Sequence, residues 1–369
     1  MENNWYLIED IDKLDTPALV IFPERVQANI NTLKAMIDDP QRLRPHAKTH
    51  KTKEATQLML AAGITKFKCA TIAEAEMLGL CGAPDVVLAY QPIGPKLERF
   101  VKVTQQYTNT HYSCLVDNIP SAEAIAKAFA AVNATISVYI DLNIGQNRTG
   151  IAPGEKAIEL YKYCAQTKGL SIAGLHAYDG HTRGTLEERT AQSNEAYAKV
   201  EDLLQALKSN GYSNIKVIAG GSPSFPIHAK RGEVECSPGT FVFWDKSYQD
   251  QCVEQPFQIA AIVVTRVVSL PNATHLCVDL GHKSIAAENE IGKRVFFLNA
   301  PELKAVSHSE EHLVLHAGEG HSYKPGDVLY GVPIHICPTV ALHERGYTVE
   351  NGNLVGEWKI VARDRRISL

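Results

Sequence analysis

Eight short apolar stretches alternate with amphipathic helical stretches through the first two thirds of the 369-residue chain, and this repetition constrains the fold most. The expected strands cover 43–49, 66–71, 85–90, 111–117, 135–143, 170–179, 214–221 and 233–240. Most are rich in Val, Ile and Leu without clean alternation, as strands covered on both faces of a parallel sheet are. Between them apolar residues recur at helical spacing, as in Val26, Ile30, Leu33 and Ile37, or Val200, Leu203, Leu204 and Leu207. Gly63, Gly169 and Gly211 each follow a helical pattern, where a left-handed C-cap is wanted. Eight such alternations over about 220 residues predict a (β/α)8 TIM-type barrel and not an open doubly wound sheet. Near residue 255 the pattern changes to β-branched runs separated by turn residues, with Asn351-Gly352 as a good hairpin turn. The expected fold class is α/β: an N-terminal (β/α)8 barrel followed by a C-terminal antiparallel β domain.

Charge and composition narrow the function. The 37 basic and 41 acidic side chains leave a formal charge of −4, without the basic stripe that phosphate neutralisation requires, so no nucleic-acid partner is expected. No apolar run approaches the ~20 residues that span a bilayer, so no membrane association is expected either. The acidic N-terminal stretch MENNWYLIEDIDKLD has no secretory character. Eight cysteines, at 69, 81, 114, 164, 236, 252, 277 and 337, form no close pairs and read as reduced thiols in a cytoplasm. A cytoplasmic enzyme is the expectation.

Four segments can carry chemistry. In Arg44-Pro45-His46-Ala47-Lys48-Thr49-His50-Lys51, Pro45 keeps the chain extended and puts Lys48 at the C-terminal end of the first barrel strand. Neighbouring His46, His50 and Lys51 disfavour its ammonium form, which suits a Schiff-base amine; a solvated basic helix start is the plain alternative. Ala219-Gly220-Gly221-Ser222 and Pro238-Gly239-Thr240 end the seventh and eighth strands, where barrels often bind phosphate. Arg148 lies in the loop after the fifth strand and can meet a phenolate oxygen. His176 and Tyr178, before Asp179-Gly180-His181, share a face of the sixth. His335-Ile336-Cys337, read as a strand, turns an imidazole and a thiol to one side, a pair that favours zinc. The plain alternative there is a buried cysteine.

Taken in order, RPHAKTHK, the Arg148 loop, GLHAYDGH, GGSPSF, PGTFVFWD and PIHICPT resemble the D-threonine aldolase and D-serine dehydratase family, within the alanine racemase-like (fold type III) pyridoxal-phosphate enzymes. The resemblance implies that Lys48 holds pyridoxal 5'-phosphate. It also implies that Gly220, Gly221, Ser222, Gly239 and Thr240 bind its phosphate, that Arg148 meets its phenolic oxygen, and that Tyr178 faces its ring. His335 and Cys337 correspond to the family's metal pair, with zinc favoured and manganese the alternative. The implied organisation is a cofactor-binding barrel over 18–250, a metal-carrying β domain over 251–369 that takes in 1–17, and a homodimer.

Two departures separate this chain from the racemases. Ser237 stands where they place an arginine against the pyridine nitrogen, and Ser284 near where they supply a catalytic tyrosine. The implied activity is a lyase on small D-β-hydroxy amino acids. In dehydration, Lys48 removes the Cα proton while the metal assists the leaving hydroxyl; in aldol cleavage, His181 is the candidate base. A His-x-Cys pair is the more usual one among the dehydratases. Glu311 and His312 stand as entrance residues or, more plainly, as solvated loop positions. An alanine racemase-type enzyme and a non-catalytic pyridoxal-phosphate carrier are the other readings, separated by turnover and by response to chelator.

Overall fold

Strand β1 (Ala18–Ile21) joins a different sheet from the seven strands that follow it in the chain. Those seven are β2 (Lys66–Cys69), β3 (Asp85–Leu88), β4 (His111–Val116), β5 (Ile136–Leu142), β6 (Leu170–Ala177), β7 (Lys216–Ala219) and β8 (Val234–Cys236). They pair in that order and all run parallel. This computed structural model describes residues 4–369. The chain divides into two compact units; one comprises 31–48, 56–239 and 364–369, the other 4–30, 49–55 and 240–363.

In the parallel unit, helices separate the strands; helix Ile72–Leu80 is buried along nearly its whole length, whereas others bury one side. Helix Pro95–Gln106 buries Leu97, Phe100, Val101 and Val103. Phe100 packs edge-on against Phe129 of helix Ile119–Ala131 and Tyr112 of β4. Removing each such ring from water contributes about 1.5–3 kcal/mol. Asn118 caps helix Ile119–Ala131 and Thr185 forms a capping box with Glu188 on helix Leu186–Ser209. Val87, Leu115, Tyr139 and Ile218 form a buried cluster contributed by four strands. Two residues beyond Val87 and Tyr139, on the same strand faces, stand Ala89 and Asp141.

The expected first strand, 43–49, is not regular. It makes isolated bridges, Leu43 to Cys236 of β8 and His46 to Lys68 of β2. Backbone bonds from Arg44 N to Cys236 O and from Ala47 N to Lys68 O, both 2.8 Å, hold it to both edges of the sheet. Pro45 has no N–H and cannot donate to a ladder there. Side chains supply what the ladder lacks. Arg44, fully buried, grips Asp85 through both terminal nitrogens at 2.6 and 3.1 Å and reaches Glu235 through Nε at 2.7 Å. Lys66 Nζ meets the other oxygen of Glu235. The buried guanidinium is therefore compensated, and the segment carrying Lys48 is tied to β3 and β8.

The other unit contains β1 together with β9 (Ala261–Asn272), β10 (His275–Val278), β11 (Val295–Phe297), β12 (Lys304–His308), β13 (Leu313–His316), β14 (Val328–Pro333), β15 (Arg345–Glu350) and β16 (Asn353–Lys359). The order is β12-β13-β10-β9-β1-β15-β16, with β14 pairing both β9 and β11. This sheet is mixed, not antiparallel as expected, because β1 runs antiparallel to β9 but parallel to β15. Only hairpin neighbours must be antiparallel, and β1 comes from the far end of the chain. Asn351 and Gly352 turn β15 into β16 with φ of 49° and 80°, the double positive pair that a tight hairpin needs. Among the described residues, no helix is long and apolar enough to cross a membrane, and all eight cysteines are free thiols.

Candidate active site

A cavity of about 550 Å³ opens in the parallel unit, lined by Lys48, Lys68, Asp141, Arg148, His176 and Tyr178 among others. Lys48 comes from the bridged segment, whose backbone N–H at Lys48 donates to His46 Nδ1 at 3.2 Å. The Tyr178 ring centre lies 5.9 Å from Lys48 Nζ, 5.6 Å from Lys68 Nζ and 5.1 Å from Arg148 Cζ. Three cations around one aromatic ring prepare the cavity for an anionic, planar guest.

The loop carrying Arg148 is built from side-chain bonds to backbone. Asn143 Oδ1 accepts from Gly145 N at 3.2 Å and Asn147 N at 3.1 Å, while Asp117 Oδ2 accepts from Gly150 N at 3.0 Å. Gly150 sits at φ +97°, and a Cβ there would fall 2.6 Å from Asn143 N, so the loop closes only with glycine at this position. His176 Nδ1 meets Asp141 Oδ1 at 2.7 Å. Burial pushes the imidazole down, more than the Asp141 bond raises it. Burial pushes Asp141 up, but the hydrogen bond from His176, with Thr149 and the Arg148 charge adding to it, outweighs this and holds the carboxyl low.

The glycine turn after β7 makes a cradle. Gly220 has φ +73°, and a Cβ on it would lie 2.6 Å from the His228 ring and 2.9 Å from Ser224 Oγ; one on Gly221 would lie 3.0 Å from Tyr178. Ser222 Oγ accepts from Gly239 N at 3.3 Å, which brings the two glycine turns together. Behind the cradle, Asp179 accepts from Ser224 Oγ at 2.6 Å, Ser193 Oγ at 2.9 Å and His228 Nε2 at 2.8 Å. Arg231 donates to His228 Nδ1 at 2.7 Å, which assigns the Nε2–H tautomer. Ser224 Oγ in turn receives Gly221 N. Burial pushes Asp179 up, but these donors prevail and bring it down to about 2.

A carboxylate with its folded pKa below the ordinary value stabilises the fold at high pH and loses that stabilisation as pH falls through the folded pKa. For Asp179 the window is pH 4 to 2, with about 2 kcal/mol at stake. We expect Asp179→Asn to unfold at lower denaturant than wild type at neutral pH. The gap should close as pH is lowered across that window. A gap that stays constant would mean that Asp179 is not charged in the fold.

The cradle suits a phosphate: small residues leave room and a buried network holds the loop. Ser237 Oγ is buried without a hydrogen-bond partner. His181 does not line the Lys48 cavity; its Nε2 lies 2.7 Å from where a Gly145 Cβ would stand, and its Nδ1 is buried without a partner.

In the other unit, β14 ends at Pro333, so the pair His335 and Cys337 is not on a strand as expected. His335 is the N-cap of helix Ile336–Leu342, with φ −132° and ψ 103°, and Cys337 is in its first turn. Pro338 is tolerated there because first-turn N–H groups need no helical acceptor. The cap geometry nevertheless leaves the two side chains in contact, since burial lowers His335 but hydrogen bonds to Cys337 and Glu288 raise it to about 9. Glu288 accepts from His335 Nδ1. Asp245 Oδ2 accepts Ile336 N at 3.2 Å. Cys337 Sγ lies 3.1 Å from the hydroxyl of Thr49, the residue after Lys48 in the chain, and 3.8 Å from that of Thr240.

A nitrogen and a sulfur ligand with a carboxylate behind the imidazole is a donor set suited to zinc. Among the described residues no group of three or more His, Cys, Asp or Glu is disposed to hold a metal ion. The backbone carbonyl of Ser284 accepts from His343 Nε2 at 2.8 Å, and Glu311 pairs with exposed Lys283.

Sequence reasoning missed Lys68, the Asp141–His176 pairing and Glu288. The first two carried a signal: a lysine in KFKC and an aspartate in ISVYIDL interrupt strands that are otherwise buried. Glu288 lies in an irregular stretch and carried none.

The model of the family "Alanine racemase, N-terminal domain" matches residues 21–246, and that of a serine dehydratase domain matches 260–349. A D-threonine aldolase of Arthrobacter sp is 29% identical over 363 residues, covering 96% of this chain and 94% of that one. A D-threo-3-hydroxyaspartate dehydratase of Delftia sp. (strain HT23) is 26% identical over 261 residues, 69% of this chain and 68% of that one. The crystal structure of D-threonine aldolase from Filomicrobium marinum superposes with a TM-score of 0.87 at 29% identity, covering 95% of each chain.

Proposed function

Because this chain belongs to the alanine racemase N-terminal domain family, we propose that its cavity binds pyridoxal 5'-phosphate on Lys48 and that it is a lyase for D-β-hydroxy amino acids. The observation that carries this is the placement of Lys48, Arg148 and Tyr178 in one cavity. Relatives that cleave and relatives that dehydrate such substrates support the class. In this reading 43–47 is the eighth member of a closed barrel, 18–250 is the cofactor domain and 251–369 with 1–17 carries the metal.

Bound cofactor supplies the conjugation that stabilises negative charge at Cα. The chain supplies the rest. Lys48 Nζ would hold the cofactor and, in dehydration, would take the proton from Cα. Arg148 donates to the phenolic oxygen. The turns at Gly220-Gly221-Ser222 and Gly239-Thr240 would take the phosphate, with the hydroxyls of Ser222 and Thr240 as donors and the glycines leaving room for it. Ser237 Oγ would face the pyridine nitrogen and, being uncharged, would leave it without a cationic partner. A divalent ion, zinc before manganese, would be held by His335 and Cys337 and would supply Lewis acidity. His181 is the candidate base for aldol cleavage. Cytoplasmic location and a homodimer complete the reading.

Purified protein incubated with D-threonine and with D-serine, with and without EDTA, tests it. Glycine from D-threonine marks aldol cleavage; a 2-oxo acid with ammonia marks dehydration. Either product is expected to disappear with EDTA and return with zinc. L-enantiomer as the only product, unaffected by EDTA, would replace the lyase with a racemase.

A further inference from the structure

The cavity holds one cation that the mechanism above leaves unused. Lys68, on β2, is 3% exposed and contributes to the cavity wall. Its ammonium has a single side-chain hydrogen-bond partner, His176 Nε2, at 3.5 Å. Asp141 takes the Nδ1 proton of that imidazole, which leaves Nε2 as an acceptor towards Lys68. No carboxylate of the described residues forms an ion pair with Lys68. Asp141 on β5 and Asp179 after β6 attract it from further away, while Lys48 and Arg44 repel it. His46 (whose backbone bridges to Lys68), Arg148 and the Tyr178 ring line the same cavity.

A buried ammonium without a counter-ion is costly, and two events relieve the cost: it loses its proton, or an anion arrives. The cavity is wide enough for the second. Building on the reading of this cavity as a pyridoxal-phosphate site, we propose that Lys68 receives the carboxylate of the incoming amino acid and takes up a proton from solvent as it does so. Only an N–H bond is made in this step. Arg148 is engaged by the phenolic oxygen and Lys48 by the cofactor, which leaves Lys68 as the amine free for the substrate. Burial, with Lys48 adding to it, brings Lys68 down to about 7. Above that pH the empty site is mostly neutral, and an arriving carboxylate must draw a proton in with it. Below it the amine is already charged and binding is proton-neutral.

The test uses the holoenzyme and D-glycerate, which has the carbon skeleton of D-serine but no amine to react with the cofactor. Calorimetry in two buffers of different ionisation enthalpy reads affinity and proton uptake together. Wild type should take up nearly one proton per carboxylate at pH 8 and almost none at pH 6. Lys68→Met should keep the visible band of lysine-bound cofactor, bind D-glycerate about 10- to 100-fold more weakly, and take up no proton. Lys68→Arg should bind without proton uptake, because guanidinium stays charged. If Lys68→Met binds D-glycerate as wild type does with the same uptake, the Lys68 assignment falls while the cofactor reading stands. If wild type shows no lysine-bound cofactor band, the cavity reading falls and takes this proposal with it.

Discussion

Lys48→Ala is expected to remove the visible band of lysine-bound cofactor and to lower lyase turnover by about 10⁴-fold, since one amine both anchors the cofactor and moves the substrate proton. The fold should survive. Lys48 is only half-buried, and the segment around it is held by Arg44, Asp85 and Glu235 and by backbone bonds to both sheet edges. Phosphate binding should persist more weakly in the variant, because the Gly220–Ser222 cradle rests on Asp179 and not on Lys48. Borohydride reduction of wild type followed by peptide mass spectrometry would identify the bonded residue. The informative failure is a label on Lys68, which shares the cavity and, at about 7, is partly deprotonated at neutral pH. Such a label would exchange the roles of the two lysines.

Cys337→Ala should abolish stoichiometric zinc and reduce turnover by about 10²- to 10³-fold, while the cofactor band is retained. An ion held by two protein ligands loses most of its affinity when one of them goes, whereas a four-ligand structural site would retain part of it. His335→Ala should behave alike, and the double variant should be little worse than either single one, because the pair acts as a unit. Cys337→Asp replaces a soft ligand by a hard one and should shift preference from zinc towards manganese. Metal analysis and product assays on the same samples check all of these. Full zinc occupancy in Cys337→Ala would remove this residue from the metal site.

Much of this protein was legible locally. Seven of the eight expected parallel strands form within a few residues of their expected bounds, because unbroken apolar runs such as Val86-Val87-Leu88 have no stable home except a doubly covered sheet. The Asn351-Gly352 hairpin was readable for an equally local reason, since few residue pairs tolerate two positive φ angles in succession. Where expectation and structure part, a non-local partner decides. The stretch 43–49 has strand-like composition, yet Pro45 and the grip of Arg44 on Asp85 and Glu235 leave it as bridges. The His335–Cys337 pair was found by residue type but set on the wrong element, because the strand it seemed to continue stops at Pro333.

The same division runs through the chemistry. Residue types and their order were enough to single out Lys48, the glycine turns, Arg148 and the His-x-Cys pair as candidates, and the structure sets Lys48 and Arg148 in one cavity. Lys68 and the Asp141–His176 pair escaped, although their residues were in plain view. A lysine becomes a titrating group, and an aspartate a locked hydrogen-bond acceptor, only through burial beside particular neighbours 35 to 108 positions away. The sequence by itself determined which elements form and which chemistry the chain carries, since those follow from short-range sterics and from functional groups. The tertiary structure alone decided which charges lose their water and which side chains meet, because desolvation and pairing depend on strands that the linear order keeps far apart.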